Sequence, residues 1–334
     1  MERLLLDCGS GGKASHRLIQ DLFLKYLGNF YLTALNDAAL LEEIKTPLAM
    51  STDTYTVEPV IFPGGDIGSL AVHGTVNDVA MLGARPRFLS CAFILEEGLE
   101  MSLLEPIVRS MGEAAKRSGV YIVTGDTKVV PKGVVDKIFI NTTGIGEVLR
   151  QPAPAGNRAR PGDVIIISGS LGDHGLTILS KQKGISFEAE VQSDSAPLNK
   201  IVEELVINVP EVHVLRDPTR GGLATTLNEI AHQSRVECYL EEERLPIKEA
   251  VKQGCNFLGL DPLYLANEGK FILILPKVYQ DKALEILKKY PESQESVVIG
   301  EVRDEHPGKV VLKTELGGKR LLDMLEGEQL PRIC

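Results

Sequence analysis

The chain has no tryptophan, and aromatic residues make up only 5% of it. Hydrophobic residues reach 43%, so a folded core must be built mainly from aliphatic side chains. Long apolar segments are also missing, since the longest runs, near 164–167 and 271–275, suit buried strands and cannot span a bilayer. Three leucines before Asp7 are too few for the core of a signal peptide. We therefore expect no membrane association.

Basic tracts and paired cysteine motifs are absent as well. The formal net charge is −10, which argues against nucleic acid as the main partner. An acidic protein can still bind a nucleotide when magnesium mediates the contact. The five cysteines are widely spaced without a Cys-x-x-Cys motif, so we expect reduced thiols in a cytoplasmic protein rather than disulfides or a zinc site.

The stretch 63–86 predicts a helix over 66–82, preceded by glycines and ended at Gly83. Apolar side chains cover nearly all of its surface, so this helix should be buried. Asn77 and Asp78 nevertheless project from it, and a buried carboxylate needs a cation or several hydrogen-bond donors. A metal is one partner for Asp78, and capping of a neighbouring turn is the alternative. Gly83 and Ala84 would let the backbone approach a ligand closely.

Three more aspartates lie at predicted ends of strands or in turns. Asp37 follows Asn36, Asp53 ends the strand predicted at 47–52, and Asp126 follows the strand predicted at 120–124. Each one taken singly fits ordinary turn chemistry. Together with Asp78 they form four carboxylates around one possible cation, and α/β proteins often bind ligands at strand ends.

Two glycine-rich segments suit phosphate groups. Gly11 and Gly12 precede Lys13 before a predicted helix, and Arg220 precedes Gly221 and Gly222 at the start of another. Backbone amides and a basic side chain at such positions favour anions. A flexible N-terminal arm is the alternative for the first segment, which lacks the full P-loop spacing. A plain turn with an arginine cap is the alternative for the second.

Predicted helices and strands alternate along the chain, which indicates an α/β fold of roughly two domains. The proline-rich segment 151–161 is the best linker candidate. We therefore divide the sequence into a glycine-rich arm with a helix (1–35), an N-terminal domain (36–150), a C-terminal domain (151–325) and a mobile tail (326–334). The tail ends in Cys334, whose thiol is either functional or an incidental terminus.

Several motifs together resemble a known family. NDVAMLGARP fits the D-x4-G-A-x-P signature of the ATP-binding PurM-like superfamily. Within it, STDTYTV, TGDTKVV, RDPTRGGLATTLNEIA, NEGK and the final PRIC are similar to the HypE family of hydrogenase maturation proteins. The resemblance covers essentially the whole chain. One departure is Cys8, at a position where that family usually carries histidine.

The resemblance implies two PurM-like α/β domains, with the N-terminal domain pairing with its twin to build a β-barrel at a homodimer interface. It also implies ATP-dependent dehydration of a carbamoyl group on Cys334 to S-cyanocysteine. In that scheme a carbamoyltransferase, HypF, loads the cysteine, and cyanide passes to iron on the HypC–HypD complex. A tail that moves between inward and outward positions would serve these steps.

The resemblance also suggests roles for the candidate residues. Mg²⁺ on the ATP phosphates would be held by Asp37, Asp53, Asp78 and Asp126. The remaining nucleotide contacts would come from Thr54, Asn77, Gly83, Ala84, Gly11, Gly12, Arg220, Gly221 and Gly222. Lys128 would stabilise the transferred phosphoryl group or the carbamoyl oxygen, and Glu268 or His73 would be the general base. Alternatives are a small-molecule kinase or synthetase of the same superfamily, and a non-catalytic adaptor with a thiol tether.

Overall fold

The computed structural model describes residues 2–9, 13–35, 38–41, 44–185, 191–327 and 332–334. Its strands are β1 (Leu48–Tyr55), β2 (Ile61–Phe62), β3 (Gly65–Asp66), β4 (Ala84–Glu96), β5 (Tyr121–Val130), β6 (Ile138–Val148), β7 (Asp163–Ile167), β8 (Val214–Arg216), β9 (Glu237–Glu241), β10 (Ile272–Pro276), β11 (Val297–Arg303), β12 (Lys309–Lys313) and β13 (Lys319–Leu322). Its α-helices are α1 (Lys13–Leu18), α2 (Leu24–Leu27), α3 (Ile67–Met81), α4 (Met101–Ser118), α5 (Asp173–Gln182), α6 (Asn199–Asn208), α7 (Gly222–Ser234), α8 (Glu249–Leu258) and α9 (Gln280–Leu287). Within these residues, no helix has both the length and the hydropathy needed to cross a membrane.

A four-stranded sheet forms the N-terminal half, in the order β1-β6-β4-β5. Strand β6 alternates strictly between buried and half-buried residues, which is the pattern of a sheet covered on one face. Helix α3 packs on the covered face. The opposite face leaves large apolar side chains exposed, namely Leu48, Met50, Ile94 and Tyr121.

A seven-stranded sheet forms the C-terminal half, in the order β13-β12-β9-β11-β7-β10-β8. Strand β7 is buried along its whole length, since separate apolar clusters pack against its alternate residues. Two mixed layers of helix and strand thus confirm the predicted class, a two-domain α/β fold.

Helix α3 is the element that joins the two halves. Asp66 caps it by accepting hydrogen bonds from the N–H groups of Gly68 and Ser69, and Ser69 completes a capping box. The helix contacts β1, β4 and β6 on one side and α6 and β8 of the C-terminal half on the other. Its burial on nearly every side confirms the prediction from its apolar surface.

The predicted strand ends at two aspartates are wrong. Asp53 lies inside β1, and Asp126 lies in the middle of β5. Strand β5 runs on to Val130 because it pairs in parallel with β4 as far as the Glu96–Val130 pair. The short strand β8 and the strands β9, β12 and β13 were not anticipated.

Candidate active site

The last three residues of the chain lie between the two halves of the molecule. A main-chain oxygen of Cys334 accepts a hydrogen bond of 2.9 Å from the N–H of Thr56, just after β1. The carbonyl oxygen of Ile333 accepts one of 2.9 Å from Nε2 of His174, in α5. Ile333 is only 5% exposed. A cavity of about 360 Å³ adjoins the tail and is lined by Thr54, Thr56, Arg220, Gly221, Tyr264 and Ala266, among others.

Four carboxylates converge on this region: Asp53, Asp78, Asp217 and Glu268. Burial raises the pKa of each one, and for the last three the charges of the others raise the pKa further. The effect raises the pKa of Asp217 to about 7 and holds the pKa of Glu268 well above its usual range. Carboxylates that repel one another in a desolvated cleft need a cation to ionise together.

Neighbouring hydroxyl groups orient the two aspartates of the N-terminal half. Ser51 donates a hydrogen bond of 2.6 Å to Asp78 Oδ2. The hydroxyl of Tyr55 donates one of 3.4 Å to Asp53 Oδ2. Strand β1 thus supplies both a carboxylate and the donor that fixes the carboxylate of α3.

A loop of the C-terminal half fixes Glu268. The N–H groups of Glu268 and Gly269 donate to the two oxygens of Asp194, at 3.1 and 3.2 Å. Lys270 Nζ lies 3.5 Å from the same carboxylate. A Cβ on Gly269 would lie 1.7 Å from the carbonyl oxygen of Asp194, so the close approach of these two segments requires glycine at that position.

These residues fit a magnesium ion. Oε1 of Glu268 is buried and has no hydrogen-bond partner among the described residues, so one acceptor in the cleft is unsatisfied. Carboxylate oxygens are the ligands that Mg²⁺ prefers, usually together with waters and phosphate oxygens. Within the described part of the chain, the one group of three candidate ligands with atoms inside 4.8 Å lies elsewhere, at Glu237, Glu305 and His306. No three of the cleft carboxylates come this close together among the described residues, so other oxygen ligands would have to complete the coordination of an ion held there.

The thiol of Cys334 shares the electrostatics of the cleft. Burial, together with the charges of Glu268 and Asp53 and against the opposing charge of Arg220, raises its pKa to about 12. The inward thiol is therefore protonated at neutral pH. A protonated thiol is a poor nucleophile. This state suits a cysteine that is modified before it enters the cleft.

Arg220 is the basic side chain that acts on Asp53, Asp78 and Cys334. Gly221 and Gly222 after it have φ of 75° and 60°, a conformation that favours glycine. A Cβ on Gly222 would lie 2.6 Å from the carbonyl oxygens of Leu263 and Leu265. The glycine pair thus brings Arg220 and the start of α7 beside the tail.

The structure places Asp126 and Lys128 away from this cluster. They form an exposed ion pair of 3.4 Å on β5. Across the sheet, Thr54 pairs with Asn141, Asn141 with Ala92, and Ala92 with Asp126. Three interstrand spacings, roughly 14 Å, therefore separate Asp126 from Thr54. Asp126 also belongs to the exposed face of the sheet, whereas Asp53 points to the covered face. A single subunit does not bring all the predicted carboxylates around one cation.

A second cavity, of about 480 Å³, borders this pair. Its walls come from the N-terminal helical segment and from β4 and β5, including Cys8, Phe23, Tyr31, Cys91, Phe93, Asp126 and Lys128. The lining is largely apolar. Cys8, the one departure from the family pattern, is buried in this wall.

His73 is buried and held by two hydrogen bonds. Nε2 accepts from Arg117 at 2.7 Å, so Nδ1 carries the proton and donates to Ser195 at 3.0 Å. Burial and the charge of Arg117 lower the pKa of His73 to about 3. A neutral ring with both nitrogens engaged ties α4 to the loop before α6, which is a structural role.

Other predicted ligand-binding residues have structural contacts. Asn77 donates to the carbonyl of Ala196 at 3.0 Å and accepts from the N–H of Leu198 at 2.8 Å. A Cβ on Gly83 would lie 2.9 Å from Pro154, so the close approach that Gly83 allows is to the linker, and Ala84 behind it is buried. Gly11, Gly12 and Asp37 lie outside the described residues.

Sequence reasoning missed Asp217 and Asp194. Asp217 begins the DPTRGG motif, in which only the arginine and the glycines were singled out. Asp194 lies in a stretch without a recognisable pattern. Its role depends on the loop packing against Glu268, which only the folded chain shows.

Comparisons with known proteins agree with this arrangement. The family models for AIR synthase related protein match at residues 35–148 for the N-terminal domain and 160–313 for the C-terminal domain. Carbamoyl dehydratase HypE of Azotobacter vinelandii is 51% identical over 98% of this chain and 96% of its own length. The crystal structure of hydrogenase maturation protein HypE in complex with ATP is 64% identical, with a TM-score of 0.96 over 99% of this chain and 100% of that one.

A further crystal structure, of a HypE–HypF complex, contains a chain that is 47% identical, with a TM-score of 0.81 over 92% of this chain and 99% of that one. These matches cover between 92% and 99% of the chain. The chain therefore belongs to the AIR synthase related family and, within it, to the HypE family of carbamoyl dehydratases.

Proposed function

We propose that the chain catalyses ATP-dependent dehydration of a carbamoyl group on Cys334, giving S-cyanocysteine, ADP and phosphate. The observation that carries the proposal is the position of Cys334, whose sulfur lies in one desolvated cleft with Glu268, Asp53 and Arg220. The adaptor alternative leaves this cluster unexplained. The kinase alternative leaves the seated tail unexplained, and the relative from A. vinelandii is named for the dehydratase reaction.

The chemistry assigns a task to each group. The carbamoyl oxygen becomes a good leaving group once it accepts the terminal phosphoryl of ATP, and the C≡N bond forms as two protons leave the nitrogen. Glu268 is the proposed base, because its carboxyl group is buried and its charge acts on the Cys334 thiol. Arg220 is placed to balance developing negative charge. Bound Mg²⁺ would supply charge neutralisation for the phosphates, held by Asp53, Asp78 and Asp217.

We propose further that the working unit is a homodimer with a shared site. The exposed face of the N-terminal sheet carries Leu48 and Met50, at 55% and 67% exposure, and a second copy of that sheet would cover them. Asp126 and Lys128 lie on the same face. In such a dimer, Asp126 and Lys128 of one subunit could contribute to the cleft of the other subunit, whose own copies of these two residues lie too far away.

We also propose domain boundaries that follow the division of the chain into two halves at residues 151–161. We place an arm at 1–35, an N-terminal domain at 36–150, a C-terminal domain at 151–325 and a tail at 326–334. In support, the strands of the two sheets fall on either side of 151–161, and the family models meet at the same segment.

The partners are proposed from the chemistry and the relatives. A carbamoyltransferase of the HypF kind would load Cys334, since a HypE–HypF complex is known for a similar chain. An iron-bearing HypC–HypD complex would accept the cyanide, and the reactions would take place in the cytoplasm.

Mass spectrometry of the C-terminal peptide tests the function. The protein is incubated with the loading partner HypF and ATP, and the C-terminal peptide is analysed at successive times. We expect carbamoylation of Cys334 followed by loss of one water. Cys334→Ser is the matched control, which should gain neither modification. A carbamoyl group that persists while ATP is consumed would contradict the proposal.

A further inference from the structure

The backbone of the final three residues is hydrogen-bonded to the segment after β1. The N–H of Thr56 donates to a main-chain oxygen of Cys334 at 2.9 Å, and the N–H of Glu58 donates to the carbonyl of Arg332 at 3.2 Å. Alternate residues of the tail thus bind alternate residues of that segment. These contacts do not depend on a covalent link between the tail and the segment.

Ile333 supplies an apolar anchor. Its side chain belongs to the same buried cluster as Ile178 and Ala266. The carbonyl oxygen of Ile333 can only accept, so Nε2 of the buried His174 carries the proton that it receives. Nδ1 of that histidine is then the acceptor for Ser193, at 2.8 Å. The seat therefore recognises both the side chain and the backbone at this position.

Arg332 supplies a charged anchor. Its Nη1 donates to Asp136 at 2.6 Å, and its Nε donates to the carbonyl of Thr56 at 2.7 Å. The guanidinium also lies 5.7 Å from the ring centroid of Phe139, within cation–π range. Only arginine offers donors in this fork geometry, so the seat is selective for it.

The seated tail is also incompletely satisfied. Arg332 has φ of 49°, a left-handed conformation that is unfavourable for a residue with a Cβ. Its Nη2 forms an ion pair of 4.0 Å with Oε2 of Glu58, but neither atom has a hydrogen-bond partner among the described residues. Buried polar atoms without hydrogen bonds reduce the net gain of binding, so the tail is held specifically but can leave.

We propose that this seat, formed by Thr56, Glu58, Asp136, His174 and Ala266, is a binding site for any peptide that ends in Arg-Ile-Cys, tethered or free. The ligand is a short peptide with a C-terminal cysteine, read by its arginine and isoleucine. The inference extends the proposed function, because the seat is where the modified sulfur is presented. Binding is measured without any dehydration, so the two proposals can fail separately.

The first test uses the intact chain. A peptide ending in Leu-Pro-Arg-Ile-Ser, which has no thiol, is added at millimolar concentration, because a tethered tail competes at an effective concentration of about that order. The rate at which iodoacetamide alkylates Cys334 is then followed by mass spectrometry. We expect a rise of about two- to fivefold as the tail is displaced. The matched peptide with glutamate in place of arginine should leave the rate unchanged.

The second test removes the competing tail. In a full-length variant with Arg332→Asp and Cys334→Ser, the fluorescein-labelled arginine peptide should bind at least about tenfold more tightly than the glutamate peptide. Adding Asp136→Asn should remove most of that difference. Equal effects of the two peptides in either test would overturn the proposal. If the variant does not fold, as judged by thermal unfolding, the intact-chain result decides.

Discussion

Thr56 holds Cys334 through a backbone hydrogen bond of 2.9 Å, three residues after Asp53. This relationship fixes the sulfur beside the carboxylates without using the cysteine side chain itself. The side chain therefore stays available to carry a group, while the main chain determines where that group is presented.

The first prediction concerns the thiol. Because burial raises the pKa of Cys334 to about 12, the seated sulfur is protonated from neutral to mildly alkaline pH, and only an outward tail reacts. We expect alkylation at pH 8 to be at least about tenfold slower than for a free peptide ending in Pro-Arg-Ile-Cys. Asp136→Asn should increase the rate by weakening the contact with Arg332. Equal rates for protein and peptide would show that the tail is not seated in solution.

The second prediction concerns Asp217 and pH. A carboxyl whose pKa is raised in the folded state binds its proton more tightly there than in the unfolded chain, so its contribution to stability is present at low pH. That contribution is lost as pH rises from near 4 to about 7. Without metal, Asp217→Asn should therefore raise the free energy of unfolding at pH 7.5 by on the order of 1–3 kcal/mol and flatten its pH dependence.

Denaturant unfolding between pH 4 and pH 8 measures this effect. The same variant should weaken Mg·ATP binding, because it removes a ligand from the cleft. Asp304→Asn, in an exposed turn, is a matched control that should change neither quantity. A variant less stable than the parent at pH 7.5 would contradict the raised pKa.

The third prediction separates Glu268 from His73 as the base. Glu268→Gln should slow water loss from the carbamoylated protein by roughly 10²–10⁴-fold while leaving the protein folded. His73→Asn should instead lower the free energy of unfolding by about 1–3 kcal/mol, through lost contacts with Arg117 and Ser195, and change the rate far less. Single-turnover assays with protein already carbamoylated compare the two, and a reversed order would assign the base to His73.

The fourth prediction tests the shared site. Lys128→Ala and Glu268→Gln subunits, each inactive alone, are mixed in equal amounts and allowed to exchange. If Lys128 acts on the partner's cleft, half of the dimers are mixed and each has one intact site, giving about a quarter of the parent activity. If both residues act within one subunit, the mixture stays inactive. Mixing Lys128→Ala with itself controls for the exchange procedure.

Those parts of the fold and of the candidate site that depend on local sequence patterns could be predicted from the sequence. The apolar surface of α3 indicates its burial, and the glycines that flank it indicate its limits. Asp78 stands out because a charge interrupts that surface. Asp53 is a candidate from its place at the end of a predicted strand, although that strand runs further than the sequence indicates. The final cysteine was recognised from its motif and its chemistry.

The rest depends on contacts between distant residues. Nothing local shows that Asp194 accepts from the backbone of Glu268, or that Asp217 lies near Asp78. The length of β5 follows from pairing with β4, so Asp126 was assigned to a strand end that does not exist. His73 is a candidate base by its residue type, and only the folded chain shows Arg117 and Ser195 in contact with its ring.

The width of the N-terminal sheet has a consequence for how the chemistry is controlled. Two strands lie between the one bearing Asp53 and the one bearing Lys128, so an isolated subunit would cradle the sulfur yet lack the lysine. Dimer formation would then control the reaction, because a newly made or dissociated subunit could not hydrolyse ATP while its cysteine carries no carbamoyl group. Quaternary structure, and not the cysteine alone, would decide when the reaction becomes possible.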